Sequence, residues 1–116
     1  MATRYAVGVD VISLARIERA MTQNILQTVC HATELSEGPF SVKDTARIWT
    51  AKEAVVKTLG TGFWQGGLDF PDVRVWPFDK VHLSGYALEV APNAWFELHF
   101  TEFDDAMLAL AFRWEP

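Results

Sequence analysis

Three residues have the type and spacing to do chemistry: Asp10, Glu53 and Lys57. Asp10 follows the apolar stretch Tyr5-Ala-Val-Gly-Val. A carboxylate there reads in two ways. It is a turn or helix-capping aspartate, or it lies inward, where burial without a cation or hydrogen-bond donors is expensive. Glu53 and Lys57 stand four apart in Trp49-Thr-Ala-Lys-Glu53-Ala-Val-Val-Lys57, the spacing of an ordinary surface ion pair worth about 0.3–0.5 kcal/mol. Against that reading, the same side carries Trp49 and Thr50, a poor solvated face. A carboxylate and an ammonium beside an indole suit an anionic ligand better. If Asp10 and Glu53 converge, two hard oxygen ligands with open water positions describe a Mg²⁺ site. Such sites typically use one or two carboxylates plus substrate phosphates.

The elements that must position these residues are legible from periodicity. Tyr5 to Val11 alternates as a strand, with Tyr5, Val7, Val9 and Val11 on one face and Ala6, Gly8 and Asp10 on the other. Ser13 is placed to cap a helix whose stripe is Leu14, Ile17, Met21 and Ile25. Residues 28 to 43 are less regular, with a break at Gly38-Pro39. Asp44 is placed to cap the next helix, which runs through Ala46 to Leu59 and stops at Gly60. Its core stripe is Ile48, Ala51, Val55 and Leu59, with Trp49, Thr50, Glu53 and Lys57 opposite. Strands follow at Val73–Trp76 and Val81–Leu83, a short helix at Tyr86–Ala91, and strands at Trp95–Thr101 and Met107–Trp114. The acidic turn 102–105 joining the last two is too short for a crossover. The fold class is therefore α+β with a mostly antiparallel sheet and packed helices.

The chain has 116 residues, room for one domain spanning 1–116. Ten Lys and Arg against fifteen Asp and Glu give a net charge of −5, which speaks against nucleic acid as a partner. No signal-peptide pattern or membrane-length apolar run is present, and a single cysteine, Cys30, fits a reducing cytoplasm. Five Trp, eight Phe and two Tyr are many for so small an interior. Some are expected at the surface, where apolar patches mark subunit or partner contacts.

Taken in order, Gly8-Val-Asp10, a helix containing Arg16, Arg47-Ile-Trp-Thr-Ala-Lys52-Glu53-Ala-Val-Val-Lys57, the turn Leu59-Gly60-Thr61-Gly62 and the strand Asp72-Val-Arg-Val resemble the holo-acyl-carrier-protein synthase family, the small 4′-phosphopantetheinyl transferases. The resemblance covers nearly the whole chain and is weakest over 22–43 and 78–95. It implies Mg²⁺-dependent transfer of 4′-phosphopantetheine from coenzyme A to a serine of an apo acyl carrier protein, with 3′,5′-ADP leaving, in fatty-acid or polyketide assembly. It implies Asp10 and Glu53 as metal ligands and Lys57 as the lysine that binds phosphate oxygens. Arg47 and Lys52 fall where the family keeps basic residues near the nucleotide, and Gly60, Thr61, Gly62 and Thr101 join that coenzyme A site. Arg16, with Arg19 beside it, matches the arginine that contacts the carrier protein. A homotrimer with active sites between subunits is also implied. The serine proton goes to Glu53 or to a metal-bound water; both remain open.

One departure from the pattern stands out. Where the family shows a Ser-hydrophobic-Ser/Thr-His segment against coenzyme A, this chain has His99-Phe-Thr101-Glu102. A carboxylate there repels a polyanion unless it is turned away or protonated. The stretch before Arg47 is also short. A rival reading follows: a divergent member that keeps the fold and binds a carrier protein without transferring anything. Cys30 with His31 lacks the second cluster a zinc site needs. The Gly60–Gly67 run lacks a P-loop ending.

Overall fold

The computed structural model describes residues 4–60 and 68–116. The expected turn residues Thr61 and Gly62 lie outside the described residues. Strand β1 (Arg4–Ser13) is longer than the alternation alone indicates and leads directly into helix α1 (Leu14–Met21). Ser13 caps α1, its hydroxyl accepting the Arg16 amide at 3.1 Å. Ile25 does not continue that helix. Asn24 turns the chain with φ 57°, a left-handed conformation that Asn tolerates, and α2 (Ile25–Val29) starts afresh. The irregular stretch contains a further turn of helix, α3 (Ala32–Leu35).

Helix α4 (Val42–Thr58) begins earlier than expected. Its cap is Ser41, whose hydroxyl accepts the Asp44 amide at 3.0 Å, so Asp44 sits inside the first turn, where its charge favours the helix dipole. Gly60 ends it with φ 82°. The stripe Ile48, Ala51, Val55 and Leu59 is buried as expected, but so are Thr50 and Lys52. The helix is covered on more than one side. Thr50 satisfies its hydroxyl by donating back to the Ala46 carbonyl at 2.7 Å.

Beyond a 3₁₀ turn at Phe70–Asp72 come β2 (Val73–Arg74), β3 (His82–Leu83), α5 (Gly85–Val90), β4 (Trp95–Phe103) and β5 (Ala106–Glu115). Strand β2 stops short of Trp76 because the amides of Val75 and Trp76 bond a side chain, Glu34, in place of a neighbouring strand. β2 and β3 pair antiparallel; the main sheet is antiparallel in the order β1-β5-β4. The β4–β5 hairpin turns at Asp104 and Asp105, both at positive φ, as a two-residue loop requires. The α+β class with an antiparallel sheet and packed helices is as the sequence indicates. Among the described residues no helix is long and apolar enough to cross a membrane.

The main sheet packs one face on α4. Met107, Ala109 and Ala111 of β5 are buried there, and Gly8 of β1 meets the helix so closely that a Cβ would stand 1.9 Å from the Ala54 carbonyl oxygen. The opposite face is open: Tyr5, Val7, Val9, Val11, Trp95 and Phe103 are all exposed.

The interior is organised around an ion pair. Lys52, fully buried, donates to Glu34 at 2.8 Å and to the carbonyls of Phe70 at 3.1 Å and Val73 at 2.6 Å, so all three ammonium protons are used. Glu34 also accepts the amides of His31 at 3.0 Å, Val75 at 2.8 Å and Trp76 at 3.0 Å. Burial pushes the Glu34 carboxyl up, but the Lys52 charge and these donors outweigh it and hold the group below its ordinary value. Burial also lifts the neighbouring Cys30 thiol to about 11, with the Glu34 charge adding to it, which leaves the thiol inert.

Removing one partner strands a buried charge, so Lys52→Met is expected to cost about 3–5 kcal/mol in denaturant unfolding. A carboxyl depressed in the folded state gives stability that is present above its unfolded value and lost as pH falls through its folded one. Glu34→Gln should therefore flatten the acid limb of the stability curve. An unchanged limb would show that the pair does not govern acid unfolding.

Candidate active site

β1 and α4 supply the site. The small face of β1 lets α4 approach, and that contact sets Asp10 beside the turn of helix that carries Glu53 and Lys57. The ordinary i, i+4 surface pair of Glu53 and Lys57 does not form, in line with the apolar company on that side of the helix. Lys57 instead reaches across to β1, donating to the Val9 carbonyl at 2.8 Å and to Asp10 at 3.1 Å. The turn reading of Asp10 falls away, since its partner is a cation on another element.

Glu53 is half-buried. Its carboxyl is raised above the ordinary value by burial first and by the Asp10 charge second, with Lys57 opposing. Two carboxylates that press on each other in this way, one short of compensating charge, form the arrangement a divalent cation relieves. The residues thus fit a Mg²⁺ ion held by Asp10 and Glu53. Among the described residues no cluster of three or more metal-ligating side chains exists, so remaining positions would belong to water and substrate oxygens. Lys57 spends two of its three protons on β1 and keeps the third for an anion.

Other expected site residues lie elsewhere. Lys52 is a correction: its ammonium is enclosed by Glu34 and two carbonyls and faces no nucleotide. Trp49 is no part of a solvated face, as its type indicates, and its indole stacks on Phe70 at 4.9 Å. Arg47 is engaged by Asp44 at 2.8 Å, nearly two turns before Glu53. Thr101 is exposed on the open face of the sheet, in register with Leu108 of β5, which pairs in turn with Val11 of β1. Asp10 belongs to the opposite face, so one chain alone does not bring Thr101 to Asp10. Gly60 terminates α4; Thr61 and Gly62 are outside the described residues.

Glu102, the departure at the end of β4, carries its own compensation in Lys43 of the first turn of α4, at 3.2 Å. Lys43 precedes Glu53 by ten residues, about 15 Å of helix. Arg16 and Arg19 are exposed on α1. Arg16 rims a cleft of about 190 Å³ floored by Ile12, Ile17, Ala20, Ile25 and Trp49. Sequence reasoning missed Glu34 and Lys43. Glu34 had a signal, a glutamate three places after His31, which caps α3.

A raised carboxyl prefers its proton, so cation binding at Glu53 competes with protonation and should strengthen as pH rises through weakly acidic values. Asp10→Asn is expected to lower the Glu53 titration midpoint, and Lys57→Met to raise it. Carboxyl-carbon NMR titration reads both; an Asp10→Asn midpoint at the wild-type value would separate the two carboxylates.

A profile of the 4′-phosphopantetheinyl transferase superfamily matches residues 6–111. A holo-[acyl-carrier-protein] synthase of Pseudoalteromonas atlantica is 41% identical over 73 residues, which cover 59% of this chain and 57% of that protein. The match thus spans little more than half of that relative. One from Hydrogenovibrio crunogenus is 32% identical over 117 residues, covering 91% of each. Among solved structures, a holo-(acyl-carrier-protein) synthase of Bacillus anthracis in complex with coenzyme A (3′,5′-ADP) superposes with a TM-score of 0.77 at 21% identity, over 99% of this chain and 100% of that one.

Proposed function

The chain belongs to the 4′-phosphopantetheinyl transferase superfamily, and from that premise we propose that it transfers 4′-phosphopantetheine from coenzyme A to a serine of an apo acyl carrier protein. The observation that carries this reading is the Asp10–Glu53–Lys57 group, two mutually repelling carboxylates and one ammonium with a proton to spare. The relatives named as holo-[acyl-carrier-protein] synthases support the same substrate pair. In the reaction the serine hydroxyl gives up its proton to Glu53 or to a nearby water as its oxygen forms a bond to the β-phosphorus of coenzyme A, the bond to the bridging oxygen breaks, and 3′,5′-ADP leaves.

A Mg²⁺ ion held by Asp10 and Glu53 would neutralise charge on the pyrophosphate. Lys57 directs its third proton to a phosphoryl oxygen, where charge builds in the transition state; preorganised donors of this kind are a large source of rate. Asp10 and the Val9 carbonyl fix the ammonium in place, so little reorganisation is needed as the charge develops.

The carrier protein docks on α1. Exposed Arg16 and Arg19 beside an apolar cleft suit an acidic amphipathic helix, whose charges meet the rim while its apolar residues enter the cleft. The chain's net charge of −5 opposes an acidic partner at long range, so steering rests on this local patch.

The open sheet face supports self-association as a homotrimer. Tyr5 at 71%, Trp95 at 57% and Val11 at 53% exposure are apolar area that a second copy would remove from water. Association through this face also supplies a reason for Thr101 to lie away from Asp10: a neighbouring copy completes the coenzyme A site. With Glu102 held by Lys43, the rival non-catalytic reading loses its main support, an uncompensated carboxylate against the nucleotide.

Incubation with coenzyme A, Mg²⁺ and apo carrier proteins, read by intact mass, should show a gain of one phosphopantetheine that chelator abolishes. Asp10→Ala should remove the gain while the protein stays folded; full activity would overturn the site. Arg16→Glu should weaken carrier binding by roughly tenfold, the effect of reversing a charge-assisted contact, and leave coenzyme A affinity alone. In light scattering, Val9→Lys should shift the protein towards monomer.

A further inference from the structure

A second cavity, of about 330 Å³, lies away from the Asp10–Glu53 pair, between α3 and the β2–β3 hairpin. Thr33, Glu37, Arg74, Trp76, Pro77 and His82 line it. Arg74 and His82 are direct cross-strand partners, so their side chains leave the hairpin on one face, side by side. Two groups able to carry positive charge are poor neighbours without an anion between them.

The charge balance around Arg74 is short of a carboxylate. Its charge disfavours the nearby Lys52 ammonium. Glu34, the acid next to both, is saturated by Lys52 and the amides of His31, Val75 and Trp76, and has no capacity left for a guanidinium. Among the described residues Arg74 makes no ion pair, and its Nε is buried with no hydrogen-bond partner. Residues 1–3 and 61–67 contain no Asp or Glu, so no acid outside the description could supply one. Glu37 shares the cavity without reaching ion-pair distance.

We propose that this cavity binds a small hydroxylated organic acid, with its oxyanion between Arg74 and His82. The carbon skeleton lies against Trp76 and Pro77, and a hydroxyl donates to Glu37. The acid at the rim selects against ligands bearing several anionic groups, so the ligand carries a single one, a carboxylate or a phosphate monoester. Its binding neutralises Arg74 and relieves the pressure on Lys52, which couples the cavity to the ion pair beneath it.

Calorimetric titration of the full chain in EDTA, so that no divalent cation bridges ligand to Asp10 and Glu53, tests the assignment. The probes are glycerate, glycerol 3-phosphate and glycerol. One or both acids should bind and shift the Trp76 indole NMR signal, and which of them binds identifies the anion; glycerol should do neither. Arg74→Met should weaken acid binding roughly tenfold or more, the loss of a charge-assisted contact, with Arg74→Lys between. Glu53→Gln should leave acid binding as it is. If Arg74→Met does not fold, His82→Ala at the exposed strand position carries the same expectation. Acids that bind no better than glycerol, or binding unchanged in the folded variants, would overturn the proposal.

Discussion

The buried Lys52–Glu34 pair is the constraint on which most of this structure depends. An ammonium and a carboxylate leave water only if every proton and lone pair finds a partner. Here the partners come from α3, from α4 and from the backbone of 70–76. Meeting that requirement fixes three segments that share no long strand or helix contact of their own. It also fixes the rotation of α4. With Lys52 turned inward to Glu34, the next residue, about 100° around the helix, can only face β1. Glu53 is thereby left where the Asp10 charge acts on it.

Approach of β1 to α4 is the second constraint. The Ala-Gly-Asp face of β1 has almost no volume, and the helix backbone occupies the space a Gly8 side chain would take. Large residues must therefore go to the other face, where Tyr5, Val7, Val9 and Val11 stand exposed. The same alternation that brings Asp10 to the helix creates an apolar surface outside. A close strand–helix contact on one face and an exposed apolar surface on the other are two consequences of one strand pattern.

Much of this was legible in the sequence. The strands at 95–101 and 107–114 carry clear alternation, and Ser13 and Gly60 are unambiguous helix start and stop residues, respectively, whose roles depend on local geometry alone. Asp10, Glu53 and Lys57 were readable because period two and period 3.6 put each on a definite face of its own element, and the resemblance to a family pattern joined the two elements. Lys52 was not. A lysine beside a glutamate on a helix looks like surface charge, and the acid that buries it lies 18 residues away in a stretch with no periodicity. Ser41 was passed over for Asp44, which is also a good cap, because the irregular run before it gave no sign that the helix begins a turn sooner. The shortness of β2 has the same origin: its amides answer to Glu34, a long-range demand that local alternation cannot express.

Charge placement joins these points. In a chain with fifteen acids to ten bases, cations are expected to be consumed by acids. Lys43, Arg47, Lys52, Lys57 and Arg113 follow that expectation, each with a carboxylate partner. Among the described residues the guanidinium groups of Arg16, Arg19 and Arg74 have no carboxylate within ion-pair distance. Arg16 and Arg19 are exposed, so water screens them and their lack of a partner costs little. Arg74 is half-buried beside another cation, where screening is weak and an anion gains most. Lys80, also exposed, is likewise without a carboxylate partner, so among the described residues Arg74 is the one uncompensated cation that water does not screen well.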